Sequence, residues 1–543
     1  MGTVFDAFEK TALARADAPF LCIEAVTAGH YGIASETLAF GEVLEQVRAL
    51  SERYRAAGYG HGHRIGLLVE NRPAFFLHWF ALNALGAGLV PINRDMREAE
   101  LAYLIGHSGI CLAVTLTDRT DRLARAAREA GCVLALMSAD DGAGIPAAST
   151  APLLAGQAPG GATECALLYT SGTTGRPKGC VLSNDYFAGA GRWYAQIGGL
   201  CALSPGVERM ATPLPLTHMN AMAYSVMAMV ETGGCLIILD RFHPDTWWTS
   251  VCASGATVIH YLGVMPAMLL GAPASSDDRR HAVRFGFGAG VDRRQHALFE
   301  ERFGFPLIEG WAMTETGAGA VVVANREPRR VGEACFGRAL PALAWRLIDE
   351  AGADVAAGSP GELLVRAAGG NPRAGFFTEY LKDAAATQEA WEGGWFHTGD
   401  LVRADGDCNL YFVDRRKNVI RRSGENISAV EVESVLAEHP LVAAVAVAAV
   451  PDEVRGDEVL ACVVPCAPVG AADRPARAAE LLRYALTRLS YFKVPGYVAF
   501  VDALPLTLSQ KIARGELKNL AIELPGQPHC IDTRVLKKRG AGE

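Results

Sequence analysis

The residues with the clearest chemical potential lie in LLYTSGTTGRPKGCVLSN, residues 167–184, where Gly, Ser and Thr crowd around a single lysine between two apolar runs. Such a loop can turn backbone N–H groups and hydroxyls inward, and one ammonium adds a mobile positive charge, so its natural guest is phosphate. A Walker A loop would need Gly-Lys followed by Ser or Thr, because that hydroxyl binds magnesium and the next residues open a helix. Here Pro177 precedes Lys178 and Gly179 follows it. Proline lacks an N–H, fixes its own φ and biases Arg176 toward extended backbone, so the expectation is a loop held open between two strands.

Further stretches carry polar groups suited to a nucleotide. WFHTGD (395–400) ends in a carboxylate, the side chain suited to accept hydrogen bonds from a diol, which makes Asp400 a candidate ribose ligand. GFGAG (286–290) follows a short apolar run and is a weak glycine signal by itself. DRRKNVIRRSGEN (414–426) is a charged run between two apolar systems, a pattern that usually marks a solvated connection.

Taken in order, these motifs resemble those of the adenylate-forming superfamily, which includes acyl-CoA synthetases, luciferase and peptide-synthetase adenylation domains. TSGTTGRPKG is similar to its signature loop, which implies that Thr170, Ser171, Gly172, Thr173, Thr174, Gly175 and Lys178 grip the ATP phosphates. GWAMTETG (310–317) resembles the Tyr-Gly-x-Thr-Glu segment, implying that Trp311 stacks near adenine, Thr314 contacts phosphate and Glu315 holds Mg2+. Trp311 and Ala312 stand where tyrosine and glycine are usual; the aromatic surface survives while the shape of the pocket beside it is left open. The resemblance also implies that Gly288, Ala289 and Gly290 border adenine, that Arg415 touches ribose or phosphate, that Lys417 is a hinge, and that Ser423 and Gly424 line a tunnel for coenzyme A. LPLTLSQKIARGELK (504–518) resembles the closing segment whose lysine reaches the α-phosphate; that lysine is Lys511, with Gln510 where glycine is common. PLPLTHMNA (213–221) is similar to the segment whose histidine sits beside the carboxylate, giving His218, which alone would read as a core histidine. Asn220, Tyr261, Gly263 and Met313 follow by position as acyl-pocket candidates.

The chemistry implied is activation of a small-molecule carboxylic acid by ATP, with release of pyrophosphate, followed by thioester formation with coenzyme A. GATVIHYLGVMPAML and ERFGFPLIEGWAMTET look most like the branch that contains carnitine/crotonobetaine-CoA ligases. Transfer to the phosphopantetheine of a carrier protein, or a non-catalytic nucleotide-binding relative, stay open as alternatives.

The elements that must position these groups follow from pattern. RIGLLVE (64–70) then PAFFLHWFALNALGAG (73–88), and GATVIHYL (255–262) then VMPAMLLG (264–271), alternate strand and helix, so the fold class is α/β: a large N-terminal domain of parallel-rich sheets covered by helices. A small, mobile α+β C-terminal domain is expected beyond the charged run, with the boundary between 414 and 415 and helices over 429–439 and 479–490. Residues 141–161, rich in Gly, Ala and Pro, are expected to form a surface connection.

A chain of 543 residues, half hydrophobic and a fifth charged, can build more than one core. Its net charge of −8 and absence of a long basic run argue against nucleic acid as a partner. The most apolar runs, LVAAVAVAAV (441–450) and CLIIL (235–239), are too short to span a membrane and read as buried strands. With no signal-like start and thirteen cysteines, a cytoplasmic location is expected; a homodimer is left open. Cys462 and Cys466 flank VVP without a matching Cys or His cluster, and read as ordinary thiols.

Overall fold

The computed structural model describes residues 2–140, 144–170, 177–276, 278–415, 419–505 and 512–537, with the backbone alone at Asp414 and Arg415. Among these residues the chain forms four sheets. The first runs, in spatial order, through Val322–Val323, Leu307–Trp311, Phe285–Ala289, Val258–Leu262, Arg209–Thr212, Cys235–Ile238, Pro19–Ile23 and Thr37–Ala39, parallel throughout its middle and antiparallel at both edges. The second joins Glu379–Tyr380, Lys178–Ser183, Glu164–Thr170, Gly88–Pro91, Arg64–Leu68, Leu112–Thr115 and Ala135–Ser138. Its last five strands are parallel, and its short strands such as Leu112–Thr115 are buried on both faces, as a covered parallel sheet requires.

Helices fill the space against these sheets. Pro73–Ala84 begins on a proline that is pre-set for the first helical turn, and it is apolar all round because Phe75, Phe76, Trp79, Phe80 and Leu82 are all buried. Asn184–Gln196 is capped by the Ser183 hydroxyl, which accepts from the Tyr186 N–H at 3.3 Å. One continuous core takes in both helices and residues of both sheets. Asn71 also spans them: its buried amide donates to Leu214 O at 3.0 Å and Leu239 O at 2.9 Å and accepts from Leu216 N at 2.9 Å.

The two large sheets are parallel-rich, as expected, and a further sheet joins them. Cys335–Gly337, Leu410–Arg415, Phe396–Ala404, Gly361–Ala367 and Leu343–Ile348 form a third sheet that is antiparallel throughout. Gly361–Ala367 is joined to its partner Phe396–Ala404 by a long detour through Glu379–Tyr380 of the second sheet and helix Ala384–Ala390, while strands on either side of that detour are joined by loops.

The smaller C-terminal domain has its own cluster of apolar side chains, from Ile420 to Phe500. Val442–Asp452 and Gly456–Pro465 form its long central hairpin, flanked by helices Ala429–Ala437 and Arg474–Leu486. The second helix starts five residues before its expected position, on Pro475 near its N-terminus. Cys462 is buried and Cys466 exposed, and all thirteen cysteines are free.

The two domains meet at a buried ion triad. Lys493 Nζ donates to Glu100 Oε1 at 2.6 Å and Glu431 Oε1 at 2.7 Å, and the Ser490 hydroxyl donates to Glu100 Oε2 at 2.6 Å. Burial opposes the charge on Lys493, but its two carboxylate partners outweigh that and hold its pKa above the usual lysine value. Substituting Lys493→Met leaves two buried carboxylates facing each other; removing one partner of a buried pair costs about 3–5 kcal/mol. Separation of the two surfaces, which returns both carboxylates to water, is the expected response. Small-angle scattering should then show a larger radius of gyration, and an unchanged profile would show that the triad does not hold the domains together.

Candidate active site

A cavity of about 830 Å³ opens at the carboxyl ends of the parallel strands, the place where open α/β sheets bind ligands. Leu262, Ala289 and Trp311 end three neighbouring strands of the first sheet there, and Thr170 ends a strand of the second. The smaller domain contributes Val419, Arg421, Gly424, Asn426 and Asp457.

Thr170 and Lys178 are Cα partners across an antiparallel pair, so the signature loop joins two strands as expected from Pro177. Ser171, Gly172, Thr173, Thr174 and Gly175 lie outside the described residues. Lys178 Nζ stands 4.8 Å from the centroid of the Tyr380 ring, whose hydroxyl donates to Glu315 Oε1 at 2.8 Å. Glu315 is buried, lines the cavity beside Thr314, and presents hard carboxylate oxygen of the kind magnesium prefers. The Thr314 carbonyl accepts from the Tyr186 hydroxyl at 2.8 Å, and the Thr316 hydroxyl accepts from Met313 N at 2.9 Å, which curls this turn against the wall.

Trp311 resolves the question raised by its size. Its ring lines the cavity and its Nε1 donates to Asp400 Oδ2 at 2.9 Å, so the indole braces the carboxylate expected to grip ribose. Asp400 is 1% exposed. Arg415 is the Cα partner of Asp400 in the neighbouring strand. Gly288, Ala289 and Gly290 line the same wall. A Cβ on Gly288 would lie 2.3 Å from Tyr261 O, so that position tolerates only glycine.

On the opposite side, His218, Asn220 and Met313 line the cavity. His218 Nε2 is 3.4 Å from Glu425 Oε2 of the smaller domain. Burial works against the imidazolium, yet the Glu425 carboxylate prevails and raises the pKa of His218. Ser423 and Gly424, with φ of +50° and +88°, form the two-residue turn between Val419–Arg422 and Glu425–Ser428, the conformation a tight hairpin requires. Gly424 lines the cavity, while Ser423 instead donates its N–H to Arg455 O at 2.8 Å.

Two acyl-pocket expectations are corrected. Tyr261 is buried on the far face of its strand, with its hydroxyl donating to Glu309 Oε1 at 2.8 Å and Ile308 O at 3.2 Å. Gly263 packs against the backbone, where a Cβ would sit 1.7 Å from Gly290 O, and faces an adjoining cleft with Arg294, Arg421 and Arg455. Strand alternation explains the first correction: the residue on the cavity side is His260, one position earlier. Its Nε2 meets the Tyr194 hydroxyl at 3.0 Å, and its Nδ1 meets Asn220 Oδ1 at 2.9 Å and Ser225 Oγ at 2.8 Å. Burial lowers its pKa to about 3, so a neutral ring orients Asn220. The sequence signal for His260 was the polar residue inside an apolar strand. Glu309 was also missed: it lines the cavity and accepts from Gly290 N at 3.0 Å and Val291 N at 3.2 Å.

Lys417 and Lys511 lie outside the described residues. Around Lys511, Leu504 and Ile512 pack against the Ala446–Leu524 cluster of the smaller domain, and neither lines the cavity. Arg514 forms a two-pronged pair with Glu433, at 2.6 and 2.8 Å.

Comparison with known proteins decides the family. A family model described as AMP-binding enzyme matches residues 8–372, and one described as AMP-binding enzyme C-terminal domain matches residues 431–511. The chain belongs to the AMP-binding enzyme family. Crotonobetaine/carnitine–CoA ligase from Shigella sonnei is 30% identical over 497 residues, covering 88% of this chain and 92% of the relative, and that from Escherichia coli O8 matches equally. Among solved structures, malonyl-CoA ligase with methylmalonyl-CoA and AMP bound is 26% identical with a TM-score of 0.72, covering 90% of this chain and 97% of that one. The o-succinylbenzoate CoA synthetase of Bacillus subtilis and the amide bond synthetase of Marinactinospora thermotolerans share the fold at 23% identity and a TM-score of 0.79; each comparison covers 96% of this chain, and 98% and 99% of theirs. The adenylate-forming, acyl-CoA ligase resemblance of the motifs is borne out at the level of the family.

Two outcomes follow for this AMP-binding enzyme. Trp311→Phe keeps an aromatic surface but removes the donor to a buried carboxylate, a bond worth about 1.5–3 kcal/mol. The KM for ATP should rise roughly tenfold to a hundredfold, with an unchanged KM showing that the indole N–H is not needed to hold Asp400. Glu425→Gln removes the charge that raises the His218 pKa, so the imidazole should lose its proton at lower pH when followed by NMR; a stationary titration would remove Glu425 as its partner.

Proposed function

We propose that this ligase joins a compact carboxylic acid to coenzyme A through an acyl-adenylate. The observation that carries the reading is the convergence of Lys178, Glu315, the Trp311–Asp400 pair and Gly424 on a single cavity. A carboxylate is a poor acceptor for a thiol because it would have to expel an oxide ion. In the first step a carboxylate oxygen attacks the α-phosphorus of ATP, the bond to the bridging oxygen breaks and pyrophosphate leaves. Two anions must approach, so positive groups and N–H donors have to meet the charge that develops between them.

Thr170, Lys178 and the hydroxyl-rich loop between them hold the departing phosphates, Asp400 grips the ribose diol, and Thr314 contacts phosphate. Magnesium, when bound, would be held by Glu315 and would neutralise phosphate oxygens. Lys511 supplies the ammonium between carboxylate and α-phosphate. The packing of Leu504 and Ile512 away from the cavity supports a second arrangement, in which the domain beyond 414 turns about Lys417 and brings Lys511 in. The arrangement described here suits the second step: the thiol enters past Gly424, attacks the acyl carbon and expels AMP. Arg294, Arg421 and Arg455 line the adjoining cleft together with Asp292, Asp452 and Glu453, and they are the cations placed to meet the coenzyme's phosphates.

The acyl end lies among Met219, Asn220, Tyr224, Phe287 and Met313, none of them charged. This supports an acid of modest size whose acyl part accepts a hydrogen bond from Asn220. The likeness to crotonobetaine/carnitine–CoA ligases makes short acids that carry a γ-trimethylammonium group the first to assay.

Lys511→Ala should abolish ATP–pyrophosphate exchange, by at least roughly a hundredfold to a thousandfold, and leave attack of coenzyme A on a supplied acyl-adenylate intact. Exchange at the parental rate would overturn the role of Lys511, and exchange without any thioester formation across a panel of acids would overturn coenzyme A as acceptor.

A further inference from the structure

Away from the cavity, three side chains with metal-binding atoms meet on the other flank of the first sheet. His30 belongs to helix Ala25–Tyr31, and Asp240 and His243 follow strand Cys235–Ile238. One ligand atom from each lies within 4.8 Å of the others. His30 Nδ1 is 3.3 Å from Asp240 Oδ2, and His243 Nε2 is 3.0 Å from both carboxylate oxygens. The two imidazole centroids are 4.5 Å apart.

These spacings are close to those of a coordination sphere. Zinc bound at about 2.0–2.1 Å in a tetrahedron sets its donors roughly 3.3 Å apart, so the three groups need only small shifts to share an ion. The carboxylate is already oriented: its side chain is 7% exposed, the Thr27 hydroxyl lies 3.3 Å from Oδ1, and the same hydroxyl accepts from Asp240 N at 3.2 Å. Such outer hydrogen bonds hold ligands in metal sites. The His30 side chain is 45% exposed, which leaves one side of the cluster open to a water molecule as a fourth ligand. Two imidazoles and one carboxylate suit zinc, cobalt or nickel, whereas the magnesium that accompanies ATP prefers oxygen donors. Arg241 Nε, 3.8 Å from Asp240 Oδ2, is the one feature that competes with a cation there.

We propose that His30, Asp240 and His243 form a zinc-type divalent metal site that clips helix Ala25–Tyr31 to the segment after strand Cys235–Ile238. None of the three ligands lines the cavity, so the role of the ion is to hold the two elements together. Asn71 donates to Leu239 O, one residue before Asp240, and also to Leu214 O at the cavity wall, so the clip secures the same strand ends that the cavity uses.

The test uses the full chain, stripped with a chelator and titrated with Co2+ and then Zn2+. One equivalent of Co2+ should give the visible absorption of a four-coordinate site, Zn2+ should displace it, and Zn2+ should raise Tm. His30→Ala, which removes a half-exposed side chain and leaves the core intact, and His243→Ala should each weaken Zn2+ binding at least about tenfold. Arg241→Ala should strengthen it. Parental Zn2+ affinity in the His30→Ala/His243→Ala double variant, or no stoichiometric binding to the parent chain, would overturn the site; circular dichroism of each variant separates lost binding from lost folding.

Discussion

A carboxyl group is costly to bury without donors to meet it, and among the described residues three are buried around one cavity. Glu309 is met by two backbone N–H groups and the Tyr261 hydroxyl, Glu315 by the Tyr380 hydroxyl, and Asp400 by the Trp311 indole. Each pairing costs the fold a buried polar partner and returns a charge fixed in direction. Much of the architecture serves these pairings. The strand carrying Glu309 also carries Trp311, and the short edge strand Glu379–Tyr380 pairs beside Lys178–Ser183 and so sets Tyr380 between Glu315 and Lys178. A cavity lined in this way presents acceptors whose direction is fixed before any ligand arrives.

Local motifs with special backbone or charge demands were legible in the sequence. The proline before Lys178 foretold a loop between strands, and the Gly, Thr-Glu and Thr-Gly-Asp segments all reach one cavity although they are far apart in the chain. What could not be read was which face of a strand points inward. GATVIHYL has polar or half-polar residues at consecutive positions, and only the neighbouring strand and the Asn220 turn decide that His260 faces the cavity and Tyr261 the far core. The Glu100–Lys493–Glu431 triad was equally hidden, because its members lie 393 and 62 residues apart and no local pattern announces a charge that will be buried by another domain. The antiparallel sheet that includes Phe396–Ala404 was not read, because that strand is separated from its partner Gly361–Ala367 by a strand of another sheet and by helix Ala384–Ala390, and no local pattern announces the pairing.

The two domains share the cavity unequally. The larger one supplies the floor and most of the polar groups, all fixed on strand ends. The smaller one supplies a hairpin turn at Ser423–Gly424 and a carboxylate at Glu425, held against the larger domain by the lysine triad and by contact between Gly424 and Leu262. Few of these contacts are extensive apolar packing. Charged pairs of this kind are strong while dry and weak once water enters.

Asn71 gives the other half of that design. Its single amide carries three hydrogen bonds that tie the segment after Arg64–Leu68 to the ends of two strands in the neighbouring sheet, so any sliding of one sheet over the other breaks all three together. The larger domain therefore resists shear between these two sheets, which are bolted together at the rim of the cavity.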